Sequence, residues 1–220
     1  MAHRAEEKER RRQERIAQEE AARKAAARKR TLQIGGGVVL GLAVIAAVAI
    51  VALAGGGGSK DKTADISKLT ADAKAAGCTF SQFKSEGRNH TASKVTYKTN
   101  PPTSGNHNPT PAQDGIYRAG NSPPKENFVH TLEHGRIEFQ YKPGTPAADV
   151  AKLRRLAEEP FNGTAGYHVL LFENNTNMPA QFAATAWTKS ITCPTLSTQA
   201  IAAMREFRTA FTDKGPEFIP

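Results

Sequence analysis

The sequence predicts an α+β fold: a single exported domain with a mostly antiparallel sheet and helices packed on one side of it, preceded by one transmembrane helix. Three observations predict this organisation. Residues 34–54 carry no charge and are rich in aliphatic residues, which is typical of a membrane span. Later in the chain, Val150, Leu153 and Leu156 recur at helical spacing. Between residues 136 and 141, polar and apolar residues alternate as they do in a strand.

The first 30 residues are predicted to form a basic cytoplasmic tail. They hold 11 basic and 6 acidic residues, and Ile16 is the only large aliphatic residue after Met1, so no apolar face can form. The other 190 residues hold 19 basic and 15 acidic residues, so the domain itself is only mildly basic. We therefore expect no nucleic-acid partner.

Residues 31–54 are predicted to form a transmembrane helix. At about 1.5 Å per residue, the charge-free run covers the roughly 30 Å hydrocarbon core of a bilayer. Basic residues crowd just before the run, and only Lys60 and Lys62 follow it closely. The positive-inside rule therefore predicts a single-pass protein of the cell membrane with a cytoplasmic N-terminus. The basic residues before the run are Arg23, Lys24, Arg28, Lys29 and Arg30.

An alternative to the anchor is a cleaved signal peptide, because Ala52-Leu53-Ala54 resembles a cleavage site. The leading segment is long for a signal peptide, so the uncleaved anchor is favoured, and the domain is exported in either case. Residues 55–64 are predicted to be a glycine-rich linker. Residues 65–220 are predicted to form the extracytoplasmic α+β domain.

The chain has two cysteines, Cys78 and Cys193, and both follow the predicted membrane span. An oxidising compartment favours one structural disulfide between them. The alternative is a pair of free or metal-binding thiols.

Helices are predicted at three places in the domain. The first follows the N-cap Asp65 and ends at Gly77. The second begins near Pro146 and is stopped by Pro160. The third runs from Ser197 to Thr212. Their buried stripes are Ile66, Leu69, Ala73 and Ala76; Val150, Leu153, Leu156 and Ala157; and Ile201, Met204, Phe207 and Phe211.

Strands are predicted from Cys78 to Phe83, from Arg136 to Tyr141, from Tyr167 to Phe172 and from Phe182 to Trp187, with an extended piece at Val95 and Tyr97. Residues 99–127 contain six prolines and three glycines, so they are predicted to be a long loop. A loop of this length in a compact domain is usually functional or disordered, and the functional interpretation is favoured.

Two polar segments hold most of the residues that could carry chemistry. One is the loop from Asn100 to His107, and the other contains His130, Glu133 and His134. We expect the loop to fold over the second segment and form one polar pocket. The loop residues are Asn100, Pro101, Pro102, Thr103, Ser104 and Gly105.

The predicted ligands of a metal ion in this pocket are His107, His130, His134, Glu133 and His90. Imidazoles with a carboxylate suit zinc or copper, so Zn or Cu is the expected cofactor. Two alternatives remain: the same groups hold the loop by hydrogen bonds, or they act in catalysis without a metal.

Two enzyme motifs can be weighed on the sequence. His130, Glu133 and His134 match the H-x-x-E-H pattern of a class of zinc proteases, which needs a helix. Because Gly135 and a strand follow, and two β-formers precede, no helix of several turns is expected there, which argues against a protease. Ser104 could be a nucleophile activated by a histidine, but no G-x-S-x-G motif supports it. His168 lies in an apolar strand and is expected to be a satisfied core residue.

Several of these motifs together resemble a known family. They are Tyr97, the Asn100-Pro-Pro-Thr-Ser-Gly run with His107, the segment from Val129 to Gly135, Ala186-Trp187 and Cys193. They resemble the bacterial family catalogued as domain of unknown function 3105, over roughly residues 75–195. The resemblance implies a membrane anchor followed by one exported domain, of a kind common in actinobacteria. It supplies no activity.

Three functions are consistent with these observations. The first is an extracytoplasmic binding or interaction module with a His/Glu pocket, although no protein or small-molecule partner is indicated. The second is an extracytoplasmic hydrolase that uses the same residues, with a metal or through Ser104. The third is a structural envelope protein in which the residues only hold the loop.

Overall fold

The structure is a computed structural model, and it describes residues 65–217 and 219. These residues belong to the second of the two units into which the chain divides, Lys62–Pro220. The predicted tail, transmembrane helix and linker, residues 1–64, lie outside the described residues. None of the helices in the described part has the length and hydropathy that a membrane span requires.

The described residues form four helices and eight strands. In chain order these are α1 (Ile66–Ala75), β1 (Thr79–Gln82), β2 (Gly115–Ile116), α2 (Lys125–Glu133), β3 (Ile137–Tyr141), α3 (Ala147–Glu158), β4 (Pro160–Phe161), β5 (Thr164–Ala165), β6 (Val169–Glu173), β7 (Phe182–Ala186), β8 (Lys189–Cys193) and α4 (Thr198–Phe211).

Six of the strands form one sheet in the order β1-β8-β7-β3-β6-β2. The pairs from β1 to β3 are antiparallel, whereas β6 runs parallel to both β3 and β2. Strands β4 and β5 form a separate antiparallel pair. The fold is therefore α+β with a mostly antiparallel sheet, as predicted.

One face of the sheet packs against α1, α3 and α4 to form the main core. Ile137, Phe139 and Tyr141 of β3 point into it, as the alternation in the sequence predicted. Helix α1 begins where the side chain of Asp65 accepts a hydrogen bond from the Lys68 N–H, and α4 is capped in the same way by Ser197. The buried stripes of the three predicted helices therefore cover this face.

The sulfur atoms of Cys78 and Cys193 lie 1.99 Å apart, which is disulfide distance. The bond links the end of α1 to the end of β8. Both cysteines are buried in the main core.

The opposite face of the sheet is covered as well, by α2 and by the long loop before it. Phe128 and Val129 of α2 pack against Leu170 and Phe172 of β6. The prediction that the helices lie on one side is therefore wrong, because residues 125–127 were read as the end of the loop and Phe128 and Val129 as strand residues. Between these two layers the polar side chains of β3 are buried too, and Glu138 accepts hydrogen bonds from Thr131, Thr185 and Gln140.

Other details of the loop also differ from the prediction. Val95 and Tyr97 do not form a strand; before β2, the described loop residues show only an isolated bridge between His90 and His107. Strands β2, β4, β5 and β8 were not predicted; β2, β4 and β5 have only two residues each, which is too short to show a pattern.

Candidate metal centre

The centre is built on α2, which spans Lys125–Glu133. Pro124 precedes its first residue, where its fixed φ suits a helix start, and Gly135 follows it with φ of +78°. The expectation that no helix of several turns fits here is wrong, since α2 has nine residues. Phe128 and Val129 were read as strand residues, but they form the face of α2 that packs on the sheet.

Because α2 is helical, His130 and His134 lie one turn apart on the same side. Their Nε2 atoms are 2.9 Å apart. The helical context that the H-x-x-E-H pattern requires is therefore present.

A second element brings His90 and His107 to the same place. The backbone N–H of His107 donates to the Asn89 carbonyl at 3.1 Å, and the Thr91 N–H donates to the His107 carbonyl at 2.7 Å. This short parallel bridge sets the two rings side by side, with centroids 5.1 Å apart. The His130 ring lies 4.8 Å from that of His90 and 4.7 Å from that of His107.

The loop from Asn100 to His107 is fixed from both sides. Tyr97 donates its hydroxyl to the Asn106 carbonyl at 2.8 Å, and its ring leaves no room for a Cβ at Gly105, whose φ is +130°. The Asn100 amide donates to the carbonyls of Thr176 and Asn177. Backbone and amide contacts of the loop therefore hold it in place, and His107 at its end supplies a ligand atom of the centre.

Four of the predicted ligands converge closely. One ligand atom each from His90, His107, His130 and Glu133 lies within 4.8 Å of the others. Two atoms bonded to one ion at about 2.1 Å can be at most about 4.2 Å apart, so the widest pair must close by about half an ångström. His134 lies outside this group of four but touches it through His130.

The hydrogen bonds of the rings determine which nitrogens face the centre. His107 Nδ1 is 2.8 Å from the Gly105 carbonyl, and His130 Nδ1 is 2.7 Å from the Asn108 carbonyl. A carbonyl can only accept, so both Nδ1 atoms carry the proton. In the neutral rings, each Nε2 is therefore an acceptor: that of His107 has no donor among the described residues, and that of His130 accepts a hydrogen bond from His134 Nε2 at 2.9 Å.

The Nε2 atom of His107 is the most informative atom of the site. It is fully buried, and it has no hydrogen-bond partner among the described residues. Glu133 Oε2 lies only 2.9 Å away, but it is not placed to receive a ring N–H, so the short distance does not make a hydrogen bond. A buried lone pair beside a carboxylate oxygen is unfavourable unless a positive charge lies between them.

The electrostatics keep two of the imidazoles neutral. The pKa of His130 is lowered to about 4, mainly by burial and to a smaller extent by the neighbouring imidazoles, although the bond to Asn108 opposes this. The pKa of His134 is also lowered, first by burial and then by the Arg136 guanidinium. At neutral pH both rings are therefore neutral, which allows the hydrogen bond between their Nε2 atoms.

The site opens to solvent on one side. His90 is exposed, and the exposed Arg88 places its Nε 3.6 Å from Glu133 Oε1. On the buried side, the ring of Trp187 meets that of His107 edge-on at 6.2 Å. This tryptophan is the only one in the chain, so its fluorescence reports on the site.

Two further residues considered from the sequence, Ser104 and His168, are not part of the converging group of ligands. The Ser104 hydroxyl is buried and accepts from the Glu86 N–H at 3.1 Å, and no hydrogen bond joins it to a histidine in the described part of the chain. His168 precedes β6 with φ of +50°, and its Nδ1 lies 2.6 Å from Asp213 Oδ1. His168, just before the first residue of β6, therefore has the Asp213 carboxylate as the hydrogen-bond partner of its ring.

Sequence reasoning missed two groups near the centre, Arg88 and Glu217. Glu217 Oε2 lies 3.8 Å from His134 Nε2. No local pattern marks either residue, because both reach the site through contacts between distant parts of the chain.

A family model described as a protein of unknown function (DUF3105) matches residues 89–218, more than half of the chain. The chain belongs to the DUF3105 family. No curated protein and no solved structure matches it. The residues of the candidate centre from His90 to Glu217 lie within the part that matches the DUF3105 model, and Arg88 lies one residue before it. Helix α1 and Cys78 precede it.

Proposed function

We propose that this DUF3105 protein is a metal-binding module that holds one Zn²⁺ or Cu²⁺ ion between His90, His107, His130 and Glu133. The observation that carries the proposal is the fully buried Nε2 of His107, which lacks a hydrogen-bond partner and lies beside a carboxylate. A cation bonded to both groups removes the conflict between the lone pair and the carboxylate oxygen.

The donor set supports these two ions. Three imidazole nitrogens and one carboxylate oxygen suit Zn²⁺ and Cu²⁺, whereas Mg²⁺ and Ca²⁺ prefer oxygen ligands. Both cysteines of the chain are paired with one another, so no thiolate is available to favour Cu⁺.

The bonds from Nδ1 also fit a metal site. In metal centres, the ring nitrogen that does not bind the ion usually donates to a carbonyl or carboxylate, which fixes the tautomer. His107 and His130 have this arrangement, through the carbonyls of Gly105 and Asn108. A purely structural role also explains the Nδ1 contacts, but it requires His107 Nε2 and Glu133 to form an ion pair instead of sharing a metal ion.

We further propose that the domain lies outside the cytoplasmic membrane of a bacterium of the actinobacterial type, behind a single N-terminal anchor. The charge-free residues 34–54 and the basic residues before them support this topology. The cysteine pair at disulfide distance is consistent with an oxidising compartment.

The test is metal binding by the full-length chain, purified in detergent without a histidine tag. Competition with a chelator gives the affinity, and elemental analysis gives the stoichiometry. We expect one tightly bound ion, and Cu²⁺ should quench the Trp187 fluorescence. At about a thousandfold excess over its Kd, the ion should raise the free energy of unfolding by about 4 kcal/mol.

The matched variants are Glu133→Gln and Glu126→Gln. Both glutamates are buried on α2, but Glu126 accepts from the Val95 N–H and lies outside the cluster. Glu133→Gln and His107→Ala should weaken binding at least tenfold, whereas Glu126→Gln should bind as the unaltered chain does. If the unaltered chain binds neither ion, the proposal is wrong and the structural role of the residues is favoured.

A second candidate function is a metal-dependent hydrolase. The observation that favours it is the helical H-x-x-E-H pattern, with the Nε2 atoms of His130 and His134 2.9 Å apart. In such a site, a carboxylate like that of Glu133 would act as general base toward a metal-bound water. Hydrolysis of a peptide or ester library by the Zn²⁺-loaded chain, lost in Glu133→Gln, would support this function over simple binding.

A further inference from the structure

The C-terminal segment after α4 forms a wall of the candidate centre. Asp213 donates its backbone N–H to the Gly135 carbonyl at 2.9 Å, and Glu217 donates to the Glu133 carbonyl at 3.0 Å. The Asp213 carboxylate is held in turn by His168 and by the Tyr167 hydroxyl. The segment is therefore attached to the end of α2 by backbone bonds and to the start of β6 by side chains.

The packing of this segment against the turn after α2 leaves no space. A Cβ built on Gly135 would lie 2.8 Å from the Asp213 Cα and 3.0 Å from the Gly215 nitrogen. Arg136 adds hydrogen bonds from its guanidinium to the carbonyls of His134 and Ile219. This close fit fixes where the side chain of Glu217 emerges.

Glu217 emerges next to a histidine pair. Its Oε2 lies 3.8 Å from His134 Nε2, and that same nitrogen lies 2.9 Å from His130 Nε2. Both separations are shorter than the roughly 4.2 Å that two ligands of one ion can span. His134 Nε2 therefore lies within sharing distance of both His130 Nε2 and the Glu217 carboxylate, and an ion at this position would replace the hydrogen bond between the two imidazoles.

We propose that His130, His134 and Glu217 form a second, outer position for Zn²⁺ or Cu²⁺, which overlaps the inner position through His130. This inference rests on the proposed metal-binding function. Two imidazoles with one carboxylate are an established ligand set for Zn²⁺, and two histidines four residues apart on a helix are a common way to supply the imidazoles.

His130 cannot serve both positions at once. Its Nδ1 proton is used by the Asn108 carbonyl, so only one lone pair is available. When an ion occupies the inner position, the outer one keeps only His134 and Glu217 and binds weakly. The outer position is also more accessible, since the side chain of Glu217 is 46% exposed while that of Glu133 is 2% exposed.

The decisive experiment removes the inner ligands that the outer position does not use. The full-length, tag-free chain with His90→Ala and His107→Ala should still bind one Zn²⁺, more weakly than the unaltered chain. Adding Glu217→Gln to this double variant should raise the Kd for Zn²⁺ at least tenfold. Adding Glu158→Gln should leave the Kd unchanged, because that carboxylate is equally exposed at 46% but lies on α3 beside Arg154.

Electron paramagnetic resonance of bound Cu²⁺ identifies the ligands directly. The double variant should show coupling to two nitrogens, and His134→Ala in that background should remove one of them. A folded double variant that binds no metal, or that binds it equally well with Glu217→Gln, would show that the outer position does not exist.

A second measurement avoids the risk that the double variant does not fold. In the otherwise unaltered chain, Glu217→Gln should weaken the binding of a second Zn²⁺ equivalent at least tenfold and leave the first equivalent unchanged. If both equivalents are unaffected while His107→Ala weakens the first, the inner site stands and the outer position is refuted. If the unaltered chain binds no metal at all, the proposed function itself fails.

Discussion

Replacing Gly135 with alanine tests how tightly the C-terminal segment closes the site. Two physical effects act at this position. The backbone has φ of +78°, a left-handed conformation that costs an L-residue about 1–2 kcal/mol. In addition, the new Cβ would lie 2.8 Å from the Asp213 Cα, so the segment or the turn must shift.

Gly144 provides a control that separates the two effects. Its φ is +77°, but a Cβ built there meets nothing within 4 Å. Gly144→Ala therefore has only the conformational cost, partly offset by the reduced entropy of the unfolded chain, and should lose about 1 kcal/mol. Gly135→Ala carries a further cost of about 1–3 kcal/mol from overpacking, so its total loss should be about 2–4 kcal/mol.

Urea unfolding of the metal-free chain, followed by Trp187 fluorescence, gives both free energies by linear extrapolation. If the two alanine variants lose the same free energy, the close contact between the turn and the C-terminal segment is not present in solution. A larger loss for Gly135→Ala than for Gly144→Ala supports it.

Three further predictions follow from single features. The pKa of His130 is lowered to about 4 and that of His134 is also lowered, so both rings must gain a proton more readily in the unfolded chain than in the folded one. The metal-free domain should therefore be fully stable above pH 6.5, and protonation of His130 should cost up to about 3 kcal/mol of the free energy of unfolding as the pH falls to 4. Urea unfolding at a series of pH values should show this dependence of the free energy on pH, and the dependence should be weaker in His130→Gln. Replacing both Cys78 and Cys193 with alanine should lower the free energy of unfolding by about 4–5 kcal/mol, since the bond closes a loop of 115 residues. Thiol labelling of the unaltered chain, denatured but not reduced, should find no reactive thiol. A periplasm-type reporter fused after Pro220 should be active and a cytoplasmic reporter inactive; the opposite pattern would contradict the predicted topology.

The main core could be predicted from the sequence because its elements carry local signals. Asp65, Gly77, Pro146 and Ser197 mark helix ends by their own chemistry, and the structure places caps or ends at each of them. The strand Ile137–Tyr141 alternates because one of its faces meets an apolar core. These signals depend on a few neighbouring residues, so one sequence is enough to find them.

The layer that carries the site could be predicted only in part. Its histidines and Glu133 were identified as one polar pocket because of their residue types. The parallel bridge at His90 and the position of Glu217 were not, since both depend on contacts between residues far apart in the chain. The sequence named all four residues of the converging group, but their separation from His134 and Glu217 depends on these contacts.

The failure to predict α2 is informative about how the site works. Helix α2 has nine residues, which is too short to be stable alone in water, and it contains residues with weak helix preference at Phe128, Val129 and His130. Contacts outside the helix must therefore stabilise it. Phe128 and Val129 pack on β6, and the backbone N–H of Glu217 donates to the Glu133 carbonyl at the end of the helix.

The helix that sets the spacing of His130 and His134 thus depends on the same segment that supplies Glu217. A metal ion bound by these residues would stabilise helix, segment and loop together, so binding and local order should be coupled.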